Sequence, residues 1–332
     1  GVVYVTTDFP HGASSIIVII ATAVPGILIL RNQTEEKHLV TSVFFIALLL
    51  RLSLGYVIFA FGLIGTFGPD AFAYDYNATR LLMTWEGATN IEVFNAFSGR
   101  AGYGMVYLVA GFYWVFGSSI LIVQSFCGVI GALTAPMVYL CAYNTFDNKR
   151  VAKYAAYGVA IFPSFVVWSS QLLKDGLIIF LLVVIMTMLL RLQKKLTYSA
   201  ILVLLASLLG ILTLRFYIFY MVAVAAAGSI LAGVSPNPKA IVRNVAIAIV
   251  LGVGLGYFGV GNIAITDMST FASLEQIQFR RGALSRGADS GFAGDTDITT
   301  TAGALTAIPL GFAYLAFAPF PWQVGKLSQA LV

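Results

Sequence analysis

Asp70, Tyr74 and Asn77 follow one another at i, i+4 and i+7 after Gly68-Pro69. A helix opening at Pro69 would therefore set a carboxylate, a phenol and an amide along one side. Asp75 would point roughly 140° away from Asp70 and is expected to be its solvated neighbour. Further along, Ser169-Ser170-Gln171-Leu172-Leu173-Lys174-Asp175 gathers polar groups where one apolar run ends and the next begins, the pattern of a wet cavity. A carboxylate so placed can accept a proton or ligate a cation, and an ammonium or guanidinium can hold a phosphate. The cationic candidates are Lys174, Arg215, and Arg280, Arg281 and Arg286 in a Gly- and Ser-containing stretch. The plainer reading is that the acids only favour helix N-termini, by about 0.3–1 kcal/mol each, and that Arg215 snorkels to the interface.

The elements that must position these groups are membrane spans. Hydrophobic residues make up 59% of the chain and charged ones 10%, and the mean hydropathy is +0.91, which excludes a soluble fold. Apolar runs near 13–30, 39–67, 119–143, 153–170, 176–191, 197–213, 216–233, 241–260 and 303–320 predict an all-α integral membrane protein of about nine spans in a single polytopic domain over 1–332. Gly102 to Gly117 is rich in Gly and aromatic residues and is expected to lie along the interface. On that reading the basic loops at 31–38, 145–153, 191–196 and 235–243 share one side, the cytoplasmic one by the positive-inside rule. The segments 68–118 and 261–302 then face out with most of the acids, the second as a mobile loop. The expected location is a bacterial plasma membrane.

Other features carry less. Cys127 and Cys141 share one predicted helix, and His11 and His38 fall at opposite faces, so neither pair forms a disulfide framework or a metal site. Gly254-x-Gly256-x-x-Gly259 lies inside an apolar run and not between a strand and a helix, which suits helix packing better than a dinucleotide. Asp295-Thr296-Asp297 falls on the side without nucleotide sugars and is given little weight. No nucleic-acid partner is expected. Arg51 stands near the middle of the 39–67 run, where a charge costs about 2.5–3.5 kcal/mol on insertion scales. It must find a partner elsewhere in the bundle, and a functional partner is expected.

The order of parts resembles the GT-C glycosyltransferases that use polyprenyl-phosphate-linked donors, among them oligosaccharyltransferases, protein O-mannosyltransferases and lipid A aminoarabinose transferases. A span leads into an outer loop with an acid, a Tyr and a small residue (Asp70, Tyr74, Ala78), followed by an interfacial segment ending Phe116-Gly117-Ser118-Ser119. A span into the turn Tyr143 to Arg150 comes next, then a span with Pro163 and Ser164 that delivers Asp175. The resemblance covers residues 39 to 191. It implies that Asp70 is a catalytic base or metal ligand, that Asp175 assists at a metal or acceptor, and that a polyprenyl-phosphate-linked sugar is transferred to a glycan, lipid or protein acceptor outside the cytoplasm. Tyr74, Asn77, Lys174, Arg215, Arg280, Arg281 and Arg286 are the substrate-binding candidates. A divalent cation on Asp70 and Asp175 is left open, because Lys174 stands where many relatives carry Thr or a second acid and would substitute for a metal on a phosphate. The alternatives are a non-catalytic subunit of a larger assembly and a lipid or glycan carrier.

Overall fold

The computed structural model describes residues 11–87, 103–195, 197–232 and 297–317, with a few isolated positions between and after them. The chain divides into two units, Gly1–Val253 and Gly254–Val332. Every regular element among the described residues is a helix.

In the first unit α1 is His11–Arg31, α2 Lys37–Ala60, α3 Ile64–Phe67, α4 Asp70–Trp85, α5 Gly104–Phe116 and α6 Ile120–Phe146. These are followed by α7 Lys149–Ile161, α8 Pro163–Ser169, α9 Asp175–Lys194, α10 Tyr198–Leu214 and α11 Phe216–Ala232. Four helices, α1, α2, α6 and α9, are long and apolar enough to cross a membrane, and a fifth span is counted if α7 and α8, bent by 57°, act as one. The protein is therefore membrane-embedded and all-α. Helices α10 and α11 have 17 residues each, and the run at 241–260 falls almost wholly outside the described residues.

The hub is α6, against which α1, α2, α7 and α9 all pack. It is apolar around its whole circumference, as a helix surrounded by others must be, and Gly128, Gly131, Ala132 and Ala135 let its neighbours approach closely. At Gly131 an added Cβ would press on Ser169 and lie 3.0 Å from Arg51 Nε.

The run expected at 39–67 ends early, at Ala60. Gly62, at φ +67°, closes α2: its N–H reaches the Phe59 carbonyl and the Leu63 N–H reaches that of Ile58. That paired bonding with a left-handed glycine terminates the helix regardless of how apolar the following residues are.

Helix α5 has 13 residues, about 20 Å at 1.5 Å per residue, too short for a core of about 30 Å. Its first residue, Gly104, abuts Thr213 near the end of α10, and its last, Phe116, lies three residues before Ser119, the residue that precedes α6.

The loops sort by end. Lys149 pairs with Glu36 at 2.8 Å and Lys194 Nζ donates to the Asn144 carbonyl at 3.1 Å. Arg191 donates to the Gln33 side chain. Three of the four basic loops thus meet at one end of the bundle, and the fourth lies outside the described residues.

In the second unit, α12 is Thr301–Phe317. Asp297, the described half of the Asp295-x-Asp297 motif, accepts from the Thr299 N–H at 2.8 Å and the Thr299 hydroxyl at 2.7 Å. Those two bonds hold its carboxyl below the usual range and serve the turn that leads into α12.

Candidate functional site

At the end opposite the basic loops, a tie between two distant segments creates the site. Gln171 Nε2 donates to the Val167 carbonyl at 3.0 Å and to the Phe67 carbonyl at 3.3 Å. The next residue, Gly68, is buried so closely against the Gln171 side-chain oxygen and Leu173 that any Cβ there would collide. Leu172 and Leu173 are buried beneath the turn and anchor it. The start of α4 is thereby held beside the start of α9.

Asp70 is the first residue of α4, after Pro69 in helical conformation (φ −59°, ψ −27°), and is exposed. Asp175 is the first residue of α9. Each carboxylate therefore sits at a helix N-terminus, where the helix dipole favours its charge.

Arg215 occupies the joint between α10 and α11, and its Nη1 lies 3.2 Å from Asp175 Oδ1, both side chains being about 30% exposed. Lys174 Nζ lies 5.9 Å from the Tyr74 ring centre, within range of a cation–π contact. Asp70 enters no ion pair among the described residues.

Charges in the cluster act on one another. Burial, followed by the fields of Asp70 and Asp175, pushes the Tyr74 hydroxyl far above its ordinary value. Tyr74 thus stays protonated and available as a donor. Burial, followed by Arg215, pulls the Lys174 ammonium down, against the pull of Asp175 and Asp70. The structure therefore brings Asp70, Tyr74, Lys174, Asp175 and Arg215 together from three parts of the chain. Asn77 is half-buried on α4 and makes no hydrogen bond among the described residues. Arg280, Arg281 and Arg286 lie outside them. No group of three or more His, Cys, Asp or Glu assembles among the described residues, and the two acids named as metal ligands have Lys174 and Arg215 beside them.

Three expectations are corrected, the last of them at Arg51. Asp75 is not merely solvated: it does point away from Asp70, but it accepts a hydrogen bond from Tyr113, a buried residue of α5. The pair fastens α4 to α5, and burial together with that bond keeps the Tyr113 hydroxyl protonated. Tyr113→Phe is expected to cost about 1.5–3 kcal/mol, the usual worth of a hydrogen bond to a charged partner, read as a lower melting temperature in detergent.

The second correction concerns Ser169, Ser170 and Gln171, which do not line a wet cavity. All three are at most 1% exposed. Ser169 donates to Phe165 and accepts from Arg51, and Ser170 donates to the Val167 carbonyl at 2.9 Å.

Arg51 has partners, and they are structural. Fully buried, it donates from Nε to Ser169 Oγ at 2.8 Å. From Nη1 it donates to the carbonyls of Ala160 at 3.0 Å and Ala47 at 3.1 Å, and from Nη2 to that of Val159 at 3.4 Å. The residue sequence reasoning overlooked is Gln171 as the tie between segments; its only signal was an amide in an otherwise apolar stretch. The chain matches no protein-family model, no characterised protein and no solved structure, so the cluster is read from its own geometry and chemistry.

Proposed function

We propose that the protein is a GT-C-like glycosyltransferase that moves a sugar from a polyprenyl-phosphate-linked donor to a hydroxyl acceptor at the extracytoplasmic membrane face. The observation that carries this is the convergence of an exposed carboxylate, Asp70, which has no ion-pair partner among the described residues, with two cations, Lys174 and Arg215, at one end of a membrane bundle. In the proposed step the acceptor O–H gives its proton to Asp70 while its oxygen attacks the anomeric carbon. The C–O bond to phosphate breaks, and its electron pair leaves with the polyprenyl phosphate. Lys174 and Arg215 hold that phosphate as its charge develops. Asp175 keeps Arg215 in place, and Tyr74 donates a hydrogen bond. The proposal includes nine spans, with α10, α11, α12 and the run at 241–260 joining the five already counted, and the site face outside.

A carrier would more naturally use ionisable groups at mid-membrane depth, and Arg51, which stands there, is instead taken up by Ser169 and by the Ala47, Ala160 and Val159 carbonyls. Incubating the purified protein in lipid with a panel of polyprenyl-phosphate sugars tests the proposal. Transfer from at least one donor is expected. A folded preparation inert toward the whole panel would move the balance to a non-catalytic subunit.

Lys174 gives a second test. Lys174→Gln is expected to raise the donor KM about 10- to 100-fold, equivalent to the 1.5–3 kcal/mol of a charged hydrogen bond, with Lys174→Arg retaining most of the affinity. Because the folded-state pKa is lowered, the ammonium is lost on raising the pH before an ordinary lysine near 10.4 would lose it. Donor affinity should weaken over that interval in the wild type and stay flat in Lys174→Gln. A donor KM in Lys174→Gln equal to the wild-type value counts against the phosphate role.

A further inference from the structure

The end of the bundle carrying the basic loops holds a second feature, independent of the Asp70 cluster. A cleft of about 680 Å3 opens between α1, α9 and α10, within the roughly 300–1,000 Å3 typical of ligand sites. Leu30, Met137, Val184 and Met188, all buried, line it together with the more exposed Val203. Its mouth is polar, with Gln33, Arg191, Lys194 and Lys195.

The charge at that mouth is not neutralised within the described residues. Arg191 donates to the Gln33 amide oxygen and Lys194 to the Asn144 carbonyl, both neutral acceptors. The nearby Glu36 is engaged by Lys149 instead. Arg191 and Lys194 close the C-terminal turn of α9, the end opposite Asp175. At 1.5 Å per residue, the 20 residues of α9 separate this mouth from the Asp70 cluster by roughly 30 Å.

An apolar cleft between membrane-length helices that ends in cations without an acidic partner among the described residues has the complement of one molecule, an amphiphile with a single-ended negative charge. Cations near the membrane surface each attract anionic headgroups by about 1 kcal/mol, and the apolar walls gain from a chain that fills them. We propose that this cleft binds an anionic phospholipid, its acyl chain between α1, α9 and α10 and its phosphate on Arg191, Lys194 and Lys195.

Native mass spectrometry of the whole protein in detergent tests this, with phosphatidylglycerol and phosphatidylcholine of identical chains as probes. The wild type is expected to hold phosphatidylglycerol at least tenfold more tightly. Arg191→Gln/Lys194→Gln/Lys195→Gln should bring the two lipids level. Arg150→Gln/Lys153→Gln, which removes exposed charges from the start of α7, should leave the preference intact. Ala200→Phe, which narrows the cleft and keeps every cation, should weaken retention of both lipids and guards against misfolding of the triple variant. Equal retention of the two lipids by the wild type, or an unchanged preference in the triple variant, would overturn the proposal. So would displacement of the lipid by millimolar inorganic phosphate alone, which would mark an ion site without use of the cleft.

Discussion

Asp70→Asn is expected to lower sugar transfer by about 10²–10⁴-fold, the contribution of a positioned general base, while leaving the melting temperature and donor KM near wild type. The change keeps the side chain's shape and removes its ability to take a proton. Asp70 is exposed at the first turn of α4 and enters no ion pair among the described residues, so the folded state loses only about 0.3–1 kcal/mol of helix-dipole stabilisation.

Asp175→Asn should behave differently. It releases Arg215 from its 3.2 Å partner and is expected to raise the donor KM together with any loss of rate. Initial rates of both variants on the donor accepted by the wild type, compared with their melting curves, separate the two roles. Full activity in Asp70→Asn would remove Asp70 as the base and leave Asp175 as the only acid of the cluster among the described residues.

The largest stability effect is expected at Arg51. In an unbroken helix the Val159 carbonyl would accept from the N–H of residue 163, but that residue is Pro163, which has none. The chain turns at Phe162 (ψ 115°), so the ladder of α7 stops there. Arg51 supplies the missing donors to Val159 and Ala160 from a different helix, and its charge suits the negative end of the α7 dipole. Phe165 lies against the guanidinium, 4.8 Å from its centre.

Arg51→Met keeps much of the volume and recovers the cost of burying a charge, but it strands the buried Ala160 carbonyl and the half-buried Val159 carbonyl, at up to about 1–3 kcal/mol each. The net loss is expected to be about 3 kcal/mol, seen as a markedly lower melting temperature and reduced yield in the membrane. Arg51→Lys should fall between, since an ammonium has three donors but not the planar fork that reaches Ser169 and both carbonyls at once. A melting temperature in Arg51→Met equal to that of the wild type would falsify the capping role.

How much of this was legible in the chain depends on the range over which each signal acts. The 3.6-residue period put Asp70 and Tyr74 on one side of α4 and turned Asp75 away, which the structure repeats. That Asp75 meets Tyr113 was not legible, because its partner lies on another helix. The apolar run 39–67 was over-extended because hydropathy averages over residues and does not register one glycine at positive φ. Likewise Ser169, Ser170 and Gln171 are polar in any context, and only packing decides whether polar groups face water or one another.

Hydropathy and charge placement by themselves pointed to an all-α membrane protein, to a non-crossing segment at Gly102 to Gly117, and to basic loops on one side, three of which meet at one end among the described residues. These follow from composition within a window of about 20 residues, the length that a bilayer imposes. The tertiary structure alone decided that Gln171 holds the start of α4 against the start of α9, that Arg215 pairs with Asp175, and that Arg51 completes a helix broken by Pro163. Each of those contacts joins residues far apart in the chain, and their strength depends on distance and burial, which no local pattern encodes.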